Sequence, residues 1–188
     1  VSYASENGGV GVYLFSGIGT GNAVGDIYDG MENVIGSSYN DTIVGGDYVN
    51  VIDGGAGNDT IDARGDNDLI IGGAGEDIID GGTGNDTISY YGSNGTVNVD
   101  LTLTTAQSGG DAQGDVLSNI ENITGYNYDD ILSGNSLANI INGGAGNNTT
   151  SYLKSTAGVN VNLSLTTAQS GGYAEGDILL DIQNVTGS

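Results

Sequence analysis

The chain has 188 residues, 36 of them glycine, with no proline, cysteine or histidine and a formal charge of −22. Without His or Cys, zinc sites, thiolate chemistry and histidine-based catalysis are excluded. Only Arg64 and Lys154 offset 24 acidic residues, so the chain repels nucleic acid, and no apolar run approaches the ~18 residues of a membrane span.

Residues 1–35 read as a module, SYASENGGVGVYL followed by GDIYDGMENVIG. Its first half alternates apolar and polar residues at Val10, Val12 and Leu14, the pattern of a half-buried strand. Residues 36–89 then hold six unbroken blocks of nine: GSSYNDTIV, GGDYVNVID, GGAGNDTID, ARGDNDLII, GGAGEDIID and GGTGNDTIS. Glycines come early in most blocks, the sixth position is Asp41, Asn50, Asp59, Asp68, Asp77 and Asp86, and the eighth is Ile throughout. No helix has a nine-residue repeat, and each interior glycine would cost a helix about 1 kcal/mol. Short strands alternating with tight turns suit this period.

The module returns over residues 90–124, with Val97, Val99, Leu101 and Leu103, then TTAQSGGDAQ and GDVLSNIENITG. A second run of blocks, 125–151, carries Asp130, Asn139 and Asn148 at the sixth positions. Residues 152–188 form a third module nearly identical to the second at an offset of 62. Val34, Ile123 and Val185 fall in phase with the Ile row, so each module is expected to end as the first rung of the coil next to it. Residues 36–89 hold eleven carboxylates against Asp129 and Asp130 in 125–151, so metal sites in the second run should be weaker or missing. The chain opens at Val1 without a signal-like segment and stops inside a recurring phrase, which reads as a fragment of a longer protein.

Two blocks make one coil of 18 residues, so Asp41, Asp59 and Asp77 line one edge and Asn50, Asp68 and Asp86 the other. Neighbouring strands lie about 4.8 Å apart, and carboxylates stacked that closely repel unless a divalent cation lies between them. Turn carbonyls with carboxylates form a flexible, all-oxygen cage that suits Ca²⁺ better than Mg²⁺. Ile burial is worth about 1.5–3 kcal/mol per block, less than the ~10 kcal/mol needed to order nine glycine-rich residues. Metal binding is therefore expected to contribute to folding.

The blocks resemble the GGxGxDxUx nonapeptides of RTX (haemolysin-type) calcium-binding proteins, and the modules resemble segments flanking such repeats. The resemblance implies an all-β parallel β-roll with Ca²⁺ between stacked turns. Carried onto this sequence, one site would use Gly55, Gly57 and Asp59 with Gly72, Ala74 and Asp77. A second would use Arg64, Asp66 and Asp68 with Gly81, Thr83 and Asp86. A third would use Ser37, Tyr39 and Asp41 with Gly54, Ala56 and Asp59; Asp130 facing Asn148 is a degenerate fourth. The resemblance also implies a secreted or cell-surface parent protein exported by type I secretion machinery.

Other readings weigh less. Arg64-Gly65-Asp66 spells an adhesion tripeptide but lies inside a rung. An ice-binding solenoid needs a Thr ladder, and the third positions run Ser38, Asp47, Ala56, Gly65, Ala74, Thr83. Paired carboxylates such as Asp129-Asp130 have no cleft signal around them, so the chain is read as non-enzymatic. The alternative to a structural, Ca²⁺-folded module is an adhesin or carbohydrate-binding segment whose partners are cell-surface glycans.

Overall fold

A computed structural model describes residues 1–188 as a stack of short strands. The first module gives β1 (Val10–Tyr13), its antiparallel partner β2 (Ile18–Gly21) and β3 (Asn33–Ile35). The six blocks give β4 (Thr42–Val44), β5 (Val51–Ala56), β6 (Thr60–Asp62), β7 (Leu69–Ala74), β8 (Ile78–Asp80) and β9 (Thr87–Ser89). The second module supplies β10 (Asn98–Asp100), β11 (Val116–Ser118) and β12 (Asn122–Thr124). Then come β13 (Ile131–Ser133), β14 (Ile140–Asn142) and β15 (Thr149–Ser151), and after them β16 (Ile178–Leu180) and β17 (Asn184–Thr186).

Odd and even blocks turn to opposite faces. One sheet runs β3-β5-β7-β9-β12-β14-β16; the other face holds the sheet β11-β8-β6-β4-β1-β2 and then β10-β13-β15-β17. All pairings in these sheets are parallel apart from β1 with β2. Ile52 stands opposite Ile70, and Ile43 opposite Ile61, so the 18-residue coil holds its register. The fold is a parallel β-roll, all-β apart from two short 3-10 turns at Gly110–Ala112 and Gly172–Ala174.

The core is a file of eighth-position side chains from each face. Ile43, Ile52, Ile61, Ile70, Ile79, Ile88, Ile123, Leu132 and Ile141 are all sealed from solvent. Val34 and Ile123 continue the column from the modules, so β3 and β12 are rungs of the roll. The alternating half of each module is shorter than its pattern predicts. In the second module only Asn98–Asp100 is strand; Leu101 and Leu103 turn away behind Asp100, whose carboxylate accepts from the Thr102 N–H and hydroxyl.

Backbone stacking explains the glycines of the second and fourth block positions. Gly73 has φ +99°, and a Cβ there would overlap the carbonyl oxygen of Gly55 one coil below. Arg64 and Asp66 occupy the same two positions of their block at φ 77° and 72°, a conformation non-glycine residues enter only at a cost. Arg64 is held there, its guanidinium 3.8 Å from the Phe15 ring centre and its Nε 3.3 Å from an Asp47 carboxylate oxygen. The adhesion-like tripeptide is thus a tethered part of a turn.

Candidate metal centre

Each sixth-position side chain reaches down one coil. The Asp41 N–H donates to Asp59 Oδ1 at 2.8 Å, Asp59 N–H to Asp77 Oδ1 at 2.8 Å, and Asp77 N–H to Asp115 Oδ1 at 3.0 Å. On the other edge Asn50 N–H donates to Asp68 Oδ1 at 2.7 Å, Asp68 N–H to Asp86 Oδ1 at 2.8 Å, and Asp86 N–H to Glu121 Oε2 at 2.9 Å. A carboxylate is needed for one lone pair of this ladder only. What becomes of its second oxygen separates the blocks into two kinds.

In blocks 54–89 the second oxygen is orphaned. Asp59, Asp68, Asp77 and Asp86 are buried, and the Oδ2 of each lacks any hydrogen-bond partner. These Oδ2 atoms point at the first residue of their own turn: a Cβ on Gly54, Gly72 or Gly81 would collide with the Oδ2 of Asp59, Asp77 or Asp86 respectively. Burial raises all four carboxyls, Asp59 to about 7 and Asp68 to about 6. Buried, unpaired and facing turn backbone, such oxygens lack only a cation.

Elsewhere the second oxygen, or its equivalent, is already answered from within the chain. Asp41 Oδ2 accepts the N–H of Ser37 at 2.5 Å and Asp130 Oδ2 that of Tyr126 at 3.0 Å, each closing on its own turn. Asn148 Nδ2 donates to the carbonyls of Gly144 and Asp181, and Asn139 Nδ2 to that of Glu121. Asp115 and Asp177 instead take a phenol: Tyr90 Oη donates to Asp115 Oδ2 at 3.2 Å and Tyr152 Oη to Asp177 Oδ2 at 2.8 Å. A hydroxyl or amide hydrogen stands where the open blocks present a bare oxygen.

The sequence-derived ligand sets can be placed on this geometry. Gly55 pairs with Gly73 and Ala56 with Ala74, which stacks the turn of Gly55, Gly57 and Asp59 on that of Gly72, Ala74 and Asp77. On the other edge Thr83 N–H donates to the Arg64 carbonyl at 2.7 Å, and Gly65 bridges Thr83, bringing Arg64, Asp66 and Asp68 against Gly81, Thr83 and Asp86. Ser37, Tyr39 and Asp41 do lie on Gly54, Ala56 and Asp59, since Ala56 N–H donates to the Ser37 carbonyl at 3.3 Å. There, however, only Asp59 offers a free oxygen. Asp130 offers none. No three carboxylates converge, so a bound ion would draw most of its ligands from turn carbonyls.

Sequence reasoning overlooked Asp115, Asp177, Glu121 and Gln183, which carry the ladder across the inserted modules. The signal was present: Tyr90/Asp115 and Tyr152/Asp177 repeat at one spacing of 25 residues, opening and closing their modules. Removing the phenol hydroxyl tests its role. Tyr152→Phe leaves Asp177 Oδ2 unpaired in a buried site, which costs about 1–3 kcal/mol, and should appear as a lower urea midpoint with unchanged slope.

A stack of glycine turns with paired, all-oxygen cradles defines a calcium-binding β-roll as the class of protein. The profile of the RTX calcium-binding nonapeptide repeat matches in four copies, over residues 35–70, 63–88 and 118–150. These stretches carry that calcium-binding repeat, and they build the parallel β-roll of the chain. No curated protein matches the chain.

Proposed function

We propose that residues 54–89 are the calcium-loaded segment of a larger secreted or cell-surface protein, disordered before export through type I secretion machinery and folded by Ca²⁺ outside. The carrying observation is the four orphaned Oδ2 atoms of Asp59, Asp68, Asp77 and Asp86. Asp59 with Asp77 would hold an ion on one edge, together with carbonyls of Gly55, Gly57, Gly72 and Ala74. Asp68 with Asp86 would hold one on the other, with Arg64, Asp66, Gly81 and Thr83. The ion's chemistry there is charge neutralisation, not catalysis: it satisfies the orphan oxygens and offsets the repulsion of a −22 chain. A site filled at 100 times its Kd adds about 2.7 kcal/mol, so two sites supply a large share of a domain's stability.

The test is a Ca²⁺ titration read by circular dichroism and calorimetry together. Ca²⁺ should raise the β signal with about two tight sites per chain, Mg²⁺ should not, and Asp59→Asn with Asp68→Asn should weaken both sites by at least about tenfold. An unchanged β signal and no heat on adding Ca²⁺ would sink the reading. A second reading, an adhesin segment binding glycans, draws support from a groove of about 270 Å³ lined by Phe15, Met31, Tyr48, Glu32 and Asp47. Aromatic faces beside carboxylates are the chemistry that holds sugar rings, and a glycan-array signal at saturating Ca²⁺ would move the module into that class.

A further inference from the structure

The three modules differ in what covers the alternating strand. In the first, β1 lies against β4, with Val12 opposite Ile43 and the Val10 N–H donating to Asp41 Oδ1 at 2.8 Å. In the second, β10 lies against β13, with Val99 opposite Leu132 and the Val97 N–H donating to Asp130 Oδ1 at 2.9 Å. Each cover is a nonapeptide strand C-terminal to its module, and beneath it Val12 and Val99 are 0% exposed.

The third module has the same stretch at Val159–Asn162 but no cover, and it forms only a bridge at Asn160 in place of a strand. Its framework is already set: Gln169 N–H donates to the Asp177 carbonyl at 2.7 Å, Asn162 N–H to Gln169 Oε1 at 2.7 Å, and Asn160 bridges Ser170. These repeat Gln107 with Asp115 (2.7 Å), Asp100 with Gln107 (2.8 Å) and Asn98 with Ser108. Yet nothing meets the Val159 N–H, Val159 and Val161 are only half-buried, and Leu163 and Leu165 are 39% and 42% exposed. The edge is held in a pairing geometry with its hydrogen-bonding groups open.

We propose that the edge Val159–Asn162 docks one parallel strand of the nonapeptide type, an Asp and then an apolar triplet, joined in cis on the C-terminal side. Asp41-Thr42-Ile43-Val44 and Asp130-Ile131-Leu132-Ser133 are the two occupants seen on the equivalent edges. The Asp caps the Val159 N–H and the central apolar residue covers Val161. This strand pairing is independent of the calcium reading, because the Asp of both known covers has its second oxygen closed on its own turn.

By the offset of 62, Gly187 and Ser188 stand where Gly125 and Tyr126 stand. The test therefore extends the chain after Ser188 with the sequence of residues 127–133, Asn-Tyr-Asp-Asp-Ile-Leu-Ser. A control extension carries Ala for the second Asp and Asn for Ile and Leu. At one saturating Ca²⁺ concentration, the first extension should slow exchange of the Val159 and Val161 amides by at least about tenfold and raise Tm; the control should do neither. Equal behaviour of the two extensions would overturn the proposal. So would an unextended chain that already protects these amides as a dimer, which would make a second copy the occupant. Because both extensions share the same metal, failure here leaves the calcium reading standing, and failure of calcium binding leaves this comparison readable.

Discussion

Chelation of Ca²⁺ should strip amide-exchange protection from residues 54–89 by about 100-fold or more while residues 122–151 keep theirs. Four buried carboxylate oxygens, on Asp59, Asp68, Asp77 and Asp86, have no partner without a cation. Each unsatisfied buried group costs about 1–3 kcal/mol. Together they reach about 4–12 kcal/mol, comparable with the ~5–15 kcal/mol that holds a domain folded. Blocks 125–151 hold no orphaned carboxylate oxygen, only the buried Thr150 hydroxyl, because Asp130 closes on Tyr126 and the Asn148 amide donates to carbonyls. Coils contact only their neighbours in a stack of this kind, so one segment can open alone. Segment-resolved hydrogen exchange with and without a chelator reads the result. Uniform loss along the chain, or none, would show that the orphan oxygens do not decide where metal matters.

The roll was legible in the sequence because its rule is strictly local. An Ile every nine residues and a coil of 18 give the core and the register, and Ile52 does meet Ile70. The partition between open and closed cradles was less legible, since it turns on backbone φ as well as residue type. Asp41 and Asp59 are the same residue at the same block position. The Ser37 turn presents an N–H to its Asp, whereas the Gly55–Gly57 turn, at φ 100° and 117°, leaves its Asp without one. Positive φ at both the second and fourth positions, carried by glycine in three open blocks and by Arg64 and Asp66 in the other, is therefore a better marker of an open cradle than the Asp itself. Asn148 refines that marker: its block also has glycines there, and its amide supplies the missing donor. The module-to-roll contacts were the least legible, because Asp77 reaching Asp115 spans 38 residues with an inserted module between them.

In calcium-free buffer the chain should become more stable as pH falls from 8 to 5. Burial lifts the folded-state carboxyls of Asp59 and Asp115 to about 7 and those of Asp68 and Asp177 to about 6, against an ordinary 3.8. A raised carboxyl binds its proton more tightly folded than unfolded, so its stabilisation is full below 3.8 and is lost as pH rises through 6–7. Asp100 runs the other way: burial would raise it, but the Thr102 hydrogen bonds and Lys154 carry it below 3.8. Its contribution is present above 3.8 and fades only under more acid conditions, outside the window. Saturating Ca²⁺ should flatten the metal-free slope, because the ion takes the place of the protons on Asp59 and Asp68. For each proton displaced, apparent Ca²⁺ affinity should fall about tenfold per unit below pH 6–7. Urea midpoints at pH 5, 6, 7 and 8, with chelator and with Ca²⁺, measure both slopes. The Asp59→Asn variant should lose part of the metal-free slope, since its amide does not titrate. A metal-free midpoint that stayed level or dropped on acidification would mean these carboxyls are not desolvated in the folded chain, and the case for cation binding at the orphaned oxygens would go with it.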